Sequence, residues 1–189
     1  DRRSVLVGDD ATEDRRTAPV EHDRDRLLPR SPRDRQVPHG HDESLGERLA
    51  NTMPSTAVVF LRGDLGAGKS SIARAMLRRL GVAGPIKSPT YSLVERYRLA
   101  MGEAVHMDLY RIAEMAELEF LGLDDLAPQV RFWLIEWPER GGSALPPADI
   151  EIRLTLSGSG RDADLLGVSG PGQDWLGRLS KTAASRASS

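Results

Sequence analysis

The chain contains no cysteine. That excludes disulfides, thiol catalysis and cysteine-held metals. Aromatic residues make up only 5% of it. It also lacks a surplus of positive charge: 26 basic against 28 acidic residues leave a net charge of -2. Proteins that grip nucleic acid usually carry a basic excess, because phosphate contacts dominate their affinity. This chain is therefore not expected to hold RNA or DNA unaided. No long hydrophobic run is present; the longest purely apolar stretch, Ala57 to Leu61, is far shorter than the ~20 residues of a membrane span. The N-terminus has no apolar stretch of the kind a signal peptide needs. The expectation is a cytoplasmic protein with no membrane contact. Its 189 residues suffice for one domain with a real core.

Residues 1–40 differ from the rest. Eighteen of these 40 are charged (nine Arg, seven Asp, two Glu) and none is aromatic. Pro19, Pro29, Pro32 and Pro38 interrupt any long helix. Such a segment cannot bury enough apolar area to offset its ordering entropy, so it is expected to be a disordered extension. A single domain is expected over residues 41–182, with a flexible small-residue tail at 183–189.

Within the domain, residues 43–52 read as a short helix. The run Ala57 to Leu61 reads as a buried strand. A helix follows from Lys69 to Leu80, with Ile72, Ala73, Met76, Leu77 and Leu80 as its apolar stripe and Gly81 as its C-terminal cap. Residues 83–91 are loop. Ala104 to Asp108 is a weak strand. Residues 113–121 read as a helix that Gly122 stops. Phe132 to Ile135 is a second buried strand, ended by Pro138. Ile150, Ile152, Leu154 and Leu156 alternate with polar residues as a half-exposed strand, and residues 161–168 return as its hairpin partner. Trp175, Leu176 and Leu179 mark a short terminal helix.

The strongest motif is Gly63-Asp64-Leu65-Gly66-Ala67-Gly68-Lys69-Ser70, which fits G-x-x-x-x-G-K-[S/T] between a buried strand and an amphipathic helix. Glycines let the backbone turn and aim N–H groups at phosphate oxygens. The helix N-terminus adds roughly half a positive charge. Lys69 can bridge the outer phosphates, and Ser70 offers a hydroxyl to magnesium. Two acids end predicted strands, Asp108 and Glu136, where ligand-binding groups gather in open α/β sheets. Either could hold the metal while the other positions a water. His106 shares a strand face with Asp108 and suits a structural or supporting role better than metal ligation. Ser88-Pro89-Thr90-Tyr91 is a plain turn or a switch that senses the terminal phosphate. Trp137 could stack on a base or a partner, or be a half-buried core aromatic. The one asparagine, Asn51, lies upstream of the loop, so the Asn-Lys-x-Asp element of guanine-specific proteins is absent and ATP is the expected nucleotide.

Together these pieces resemble the TsaE (YjeE) family of P-loop ATPases. The matching segments are the Gly63–Ser70 loop, Ser88-Pro89-Thr90-Tyr91, His106-Met107-Asp108-Leu109-Tyr110-Arg111, Glu117-Leu118 through Gly122-Leu123, and Ile135-Glu136-Trp137-Pro138-Glu139. Similarity runs from about residue 42 to about 180. The resemblance implies a three-layer α/β, P-loop NTPase-like fold with a mixed parallel and antiparallel sheet flanked by helices. It implies ATP held by Gly63, Leu65, Gly66, Ala67, Gly68, Lys69, Ser70, Ser71, Trp137 and Arg161, and Mg2+ held by Ser70 and Glu136. Asp108, Lys69 and Thr90 would serve hydrolysis. The implied role is an accessory ATPase that joins TsaD and TsaB in placing threonylcarbamoyl on the adenosine beside the anticodon of tRNAs reading ANN codons. tRNA would be met only through those partners.

The chain departs from the family pattern in two places. Ser70 replaces the usual Thr and keeps its hydroxyl. Asp42 stands where the family often has a Thr near the nucleotide, three residues before Leu45-Gly46, which leaves that contact open. Two other readings compete with the resemblance: a small P-loop kinase acting on a nucleoside or other small molecule, and a nucleotide sensor that only binds partners. A kinase usually carries an arginine-bearing lid, and no clear lid insertion follows the P-loop helix.

Overall fold

The computed structural model describes residues 42–157 and 160–187. The expected extension at 1–40 lies outside the described residues, as does the side chain of Asp42. In chain order the elements are α1 (Asp42–Thr52), β1 (Ala57–Gly63), α2 (Lys69–Arg79), β2 (Val94–Leu99) and β3 (Gly102–Asp108). They continue with a 3-10 helix (Met115–Leu121), α3 (Leu123–Leu126), β4 (Val130–Glu136), β5 (Ile150–Ser157), β6 (Gly160–Gly167) and α4 (Gly170–Ala187). Short 3-10 turns at Pro138–Arg140 and Gly142–Ala144 follow β4.

The six strands form one sheet in the order β2-β3-β4-β1-β5-β6. β3, β4, β1 and β5 run parallel, while β2 and β6 pair antiparallel at the edges. The sheet is thus mixed, as the resemblance implied. Parallel strands are normally covered on both faces, and these are. On one face, Val59 and Leu61 of β1, Leu134 of β4 and Ile152 of β5 pack with Leu49 of α1, Met76 of α2 and Trp175 of α4. On the other, Val105, Met107, Trp133 and Ile135 pack with Leu118 of the 3-10 helix and Leu123 of α3. The strands alternate between two buried clusters because successive side chains point to opposite faces.

α2 follows its predicted stripe: Ile72, Ala73, Met76 and Leu77 are all buried. Its end is closed by Gly81 N–H on Arg78 O and Val82 N–H on Leu77 O, the paired bonds of a Schellman cap. α1 crosses α2 at Gly46, where a Cβ would stand 2.7 Å from Ala75 Cβ and 2.8 Å from Ile72 O. Only glycine lets these backbones approach so closely.

Three expectations need correction. β2 is a strand that the sequence reading missed. It is an edge strand with charged Glu95, Arg96 and Arg98, whose Tyr97 and Leu99 only partly enter the core. Residues 115–121 form a 3-10 helix rather than an α-helix. Glu117 Oε1 accepts the N–H groups of Ala113 (3.0 Å) and Glu114 (2.9 Å), and Glu117 N–H bonds to Glu114 O, which winds the turn tightly. That helix ends at Leu121, so Gly122 does stop it, and with φ of 59° Gly122 also opens α3. The terminal helix is also longer than expected, and α4 continues to Ala187.

Candidate phosphate and metal site

The loop from Gly63 to Gly68 leaves the carboxyl end of β1 and delivers Lys69 and Ser70 into the first turn of α2. Two of its glycines are sterically required. Gly63 has φ of 132°, and a Cβ there would meet Leu154 O at 2.3 Å. Gly68 has φ of 103° and caps α2 in a left-handed conformation that costs an L side chain about 1–2 kcal/mol. The first-turn N–H groups of a helix lack intrahelical acceptors, so they are available to an anion.

β4 lies between β1 and β3, and register brings the two predicted acids level: Glu136 pairs with Leu61 on one side and with Asp108 on the other. Both carboxylates thus lie beside the loop, and both are buried. Ser70 Oγ donates to Glu136 Oε2 at 2.9 Å. His106 Nε2 lies 2.8 Å from Glu136 Oε1. Thr90 Oγ1 donates to Asp108 Oδ2 at 2.8 Å, and Asp108 Oδ1 accepts Tyr110 N–H at 3.0 Å. Ser88 Oγ stands 3.0 Å from Thr90 Oγ1. A cation–π contact of 4.4 Å between Arg111 and the Tyr91 ring adds to the closure of this loop.

Lys69 is buried, with Nζ donating to Gly63 O (2.7 Å) and Asp64 O (2.8 Å). Nζ also sits 4.1 Å from the centre of the Trp137 ring. Burial lowers its pKa from the ordinary lysine value, and the charges of Glu136, Asp108, Glu139 and Asp64 oppose that shift. Trp137 stacks on Tyr110 at 5.1 Å between ring centres. Among the described residues, only Leu93 (φ 62°) and Trp137 (φ 58°) are non-glycine residues with positive φ. Both flank this site, where a fold tends to concentrate backbone strain.

These groups line a cleft of about 240 Å³. The loop supplies Leu65, Gly66 and Gly68, and α2 supplies Lys69, Ser70, Ser71 and Arg74. Thr90, Asp108, Tyr110, Glu136, Trp137 and Arg161 close it from other segments. Arg161 comes from β6 and donates to Gly66 O at 3.4 Å. Two residues singled out in the sequence do not line the cleft: Gly63 shapes the loop from beneath, and Ala67 turns its methyl into the core. Two lining residues were missed. Arg74 was legible, since it lies one helical turn beyond Ser70 on the same face. Tyr110 was not, because the path of the chain after β3 is set by tertiary contacts.

The donor set suits magnesium. Ser70 and Glu136 offer oxygen only, as that ion prefers. Among the described residues no group of three or more acids and histidines could hold a metal by itself. An ion here would take its other ligands from phosphate and water, which is the usual manner of magnesium at nucleotide sites. Among those residues, too, no helix is long and apolar enough to cross a membrane.

The family model described as threonylcarbamoyl adenosine biosynthesis protein TsaE matches residues 39–163, which include every residue lining the cleft. A Haemophilus influenzae protein named tRNA threonylcarbamoyladenosine biosynthesis protein TsaE is 42% identical over 123 residues, spanning 65% of this chain and 78% of that one. An Aquifex aeolicus protein of the same name is 35% identical over 114 residues, 59% of this chain and 77% of that one. The crystal structure of Bacillus subtilis YdiB has the same fold, with a TM-score of 0.66 at 22% identity over 79% of this chain and 97% of that one. On the extent of the family match, the chain belongs to the TsaE family.

Proposed function

We propose that this protein acts in tRNA threonylcarbamoyladenosine biosynthesis as an accessory ATPase, binding ATP with Mg2+ in the cleft and hydrolysing it slowly. The observation that carries the reading is the pairing of two carboxylates in register beside one phosphate loop, each already engaged by a hydroxyl: Glu136 by Ser70 and Asp108 by Thr90. Names borne by the relatives supply the pathway.

Each residue then has a definable task. The loop backbone and the start of α2 cradle phosphate oxygens. Lys69 exchanges two backbone carbonyls for the outer phosphates, gaining charge-assisted bonds in place of neutral ones. Ser70 and Glu136 would hold the magnesium, which neutralises developing phosphate charge. Asp108 accepts a proton from the attacking water or orients it, and Thr90 reports whether the terminal phosphate is present. Arg161 brings positive charge from the far wall of the cleft, and Trp137 closes over Lys69.

The partners we propose are TsaD and TsaB, with tRNA carrying ANN-decoding anticodons met through them. A net charge of -2 fits a protein that leaves tRNA binding to others. The test is ATP hydrolysis by the purified chain, alone and with a TsaB–TsaD pair, with Lys69→Ala as control. Stimulation by the pair that the variant loses supports the reading. ATP binding without stimulation, or phosphate appearing on an added nucleoside, would overturn it in favour of a sensor or a kinase.

A further inference from the structure

His106 is completely buried in β3, with Leu134 as its register partner on β4. By strand alternation it shares a face with Ala104. Ala104 and Leu134 both belong to the apolar cluster beneath α1 and α2. An imidazole there must justify its polarity. Its Nε2 does so, at 2.8 Å from Glu136 Oε1. Its Nδ1 has no hydrogen-bond partner among the described residues. A carboxylate only accepts, so Nε2 carries a hydrogen toward it, and Nδ1 is left buried and unsatisfied. An unsatisfied buried polar atom is destabilising. An apolar side chain would suit this position better, unless the bond to Glu136 has a use of its own.

Glu136 shows what that use is. Its carboxylate receives one donor on each oxygen, Ser70 Oγ on Oε2 and His106 Nε2 on Oε1. Ser70 stands at the head of α2 in the phosphate loop, where its hydroxyl is required for the ligand. Once it turns to a metal, His106 alone among the described residues still fixes the carboxylate. We propose that His106 is a positioning residue: its Nε2–H locks the Glu136 carboxylate with Oε1 turned inward and Oε2 presented beside Ser70. The inference rests on the reading of the cleft as a magnesium–nucleotide site. Free rotation of the Glu136 carboxylate would weaken the metal without touching the phosphate cradle. Partners that orient a ligand from behind typically contribute about 10–100-fold in metal affinity.

The test is ADP binding by calorimetry, with Mg2+ titrated and again in EDTA, on wild type, His106→Leu, His106→Asn and His106→Gln. Glutamine can place an amide N–H near the position of Nε2; asparagine is too short to do so. His106→Leu and His106→Asn should raise the Mg2+ concentration for half-maximal effect by about 10–100-fold. ADP affinity in EDTA should stay within about twofold, since the phosphate cradle of backbone N–H groups and Lys69 is untouched. His106→Gln should return most of the magnesium dependence. In metal-free wild type, the ring 15N shifts should show the hydrogen on Nε2. Wild-type magnesium dependence in His106→Leu, an equal loss in EDTA, a glutamine variant no better than leucine, or an Nε2 without a hydrogen would each overturn the proposal. If wild type itself bound ADP without magnesium dependence, the proposed function would fall and take this inference with it; the other outcomes leave that function standing.

Discussion

Thr90 and Asp108 are joined by a 2.8 Å hydrogen bond across the mouth of the cleft, tying the Ser88–Tyr91 loop to the end of β3. The loop is further held by Leu93 N–H on Pro89 O (2.7 Å) and Asp108 N–H on Leu93 O (3.1 Å). Asp108 therefore reads the loop's position directly. Asp108→Asn keeps the shape of the side chain but removes the proton acceptor. It should cut ATP hydrolysis at least about 100-fold while ADP affinity changes little. Thr90→Val should also slow hydrolysis, and Thr90→Ser should keep most of it. Steady-state rates beside binding isotherms decide the matter: loss of affinity in parallel with rate would mean the pair serves binding, not turnover.

The contrast between what could and could not be read in the sequence follows contact range. The phosphate loop was legible because its signals are local: a strand, glycines at fixed spacing, then a helical stripe from Ile72 to Leu77. The acids Asp108 and Glu136 were legible because each closes an apolar strand. Their being level with each other was not, since it depends on the register of β3 on β4 across 27 residues of intervening chain. The bond from His106 to Glu136 was hidden for the same reason. β2 was missed because an edge strand needs little apolar surface, and Glu95, Arg96 and Arg98 mask its alternation. Residues 115–121 carry a helical pattern, and the side chain of Glu117 caps its start by accepting the N–H groups of Ala113 and Glu114, but apolar spacing over so short a stretch does not distinguish a 3-10 turn from an α turn.

Glu136 is expected to account for the metal-dependent part of nucleotide binding. Glu136→Gln should lower the affinity for Mg2+ by at least about tenfold, as loss of even a supporting group would. In EDTA the variant and wild type should bind ADP alike, because Lys69 and the loop backbone remain. Titration of each protein with Mg2+ at fixed ADP separates the two contributions. Equal magnesium dependence in both proteins would move the metal to Asp108.

Trp175 offers a control for stability apart from the site. It is completely buried in α4, and its Nε1 donates to Leu49 O (3.2 Å) and Thr52 Oγ1 (3.1 Å) at the end of α1. Trp175→Phe keeps an aromatic ring but removes both Nε1–H bonds, leaving Leu49 O and Thr52 Oγ1 with the hydroxyl's own bonds to Leu49 O (3.3 Å) and Arg48 O (3.0 Å). Losing a hydrogen bond whose acceptors keep other partners costs about 0.5–1.5 kcal/mol. Chemical denaturation should show a loss of that size with nucleotide affinity unchanged. A fall in affinity would instead show that the α1–α2–α4 layer tunes the phosphate loop, by way of the close approach at Gly46.

Lys69 carries the sharpest prediction about the cleft itself. Its ammonium is buried, bonded to backbone carbonyls of its own loop, and faces the Trp137 ring. Removing it costs the fold little, because those carbonyls lie beside a cleft that water can enter. It costs the ligand much, because a buried cation beside phosphate acts in a low dielectric where charge is worth more. ATP at 100 times its dissociation constant should stabilise wild type by about 2.7 kcal/mol. Lys69→Ala should keep the melting temperature of the ligand-free protein and lose nearly all of that increment. A variant that ATP stabilised as strongly as wild type would place the phosphates elsewhere than on this loop.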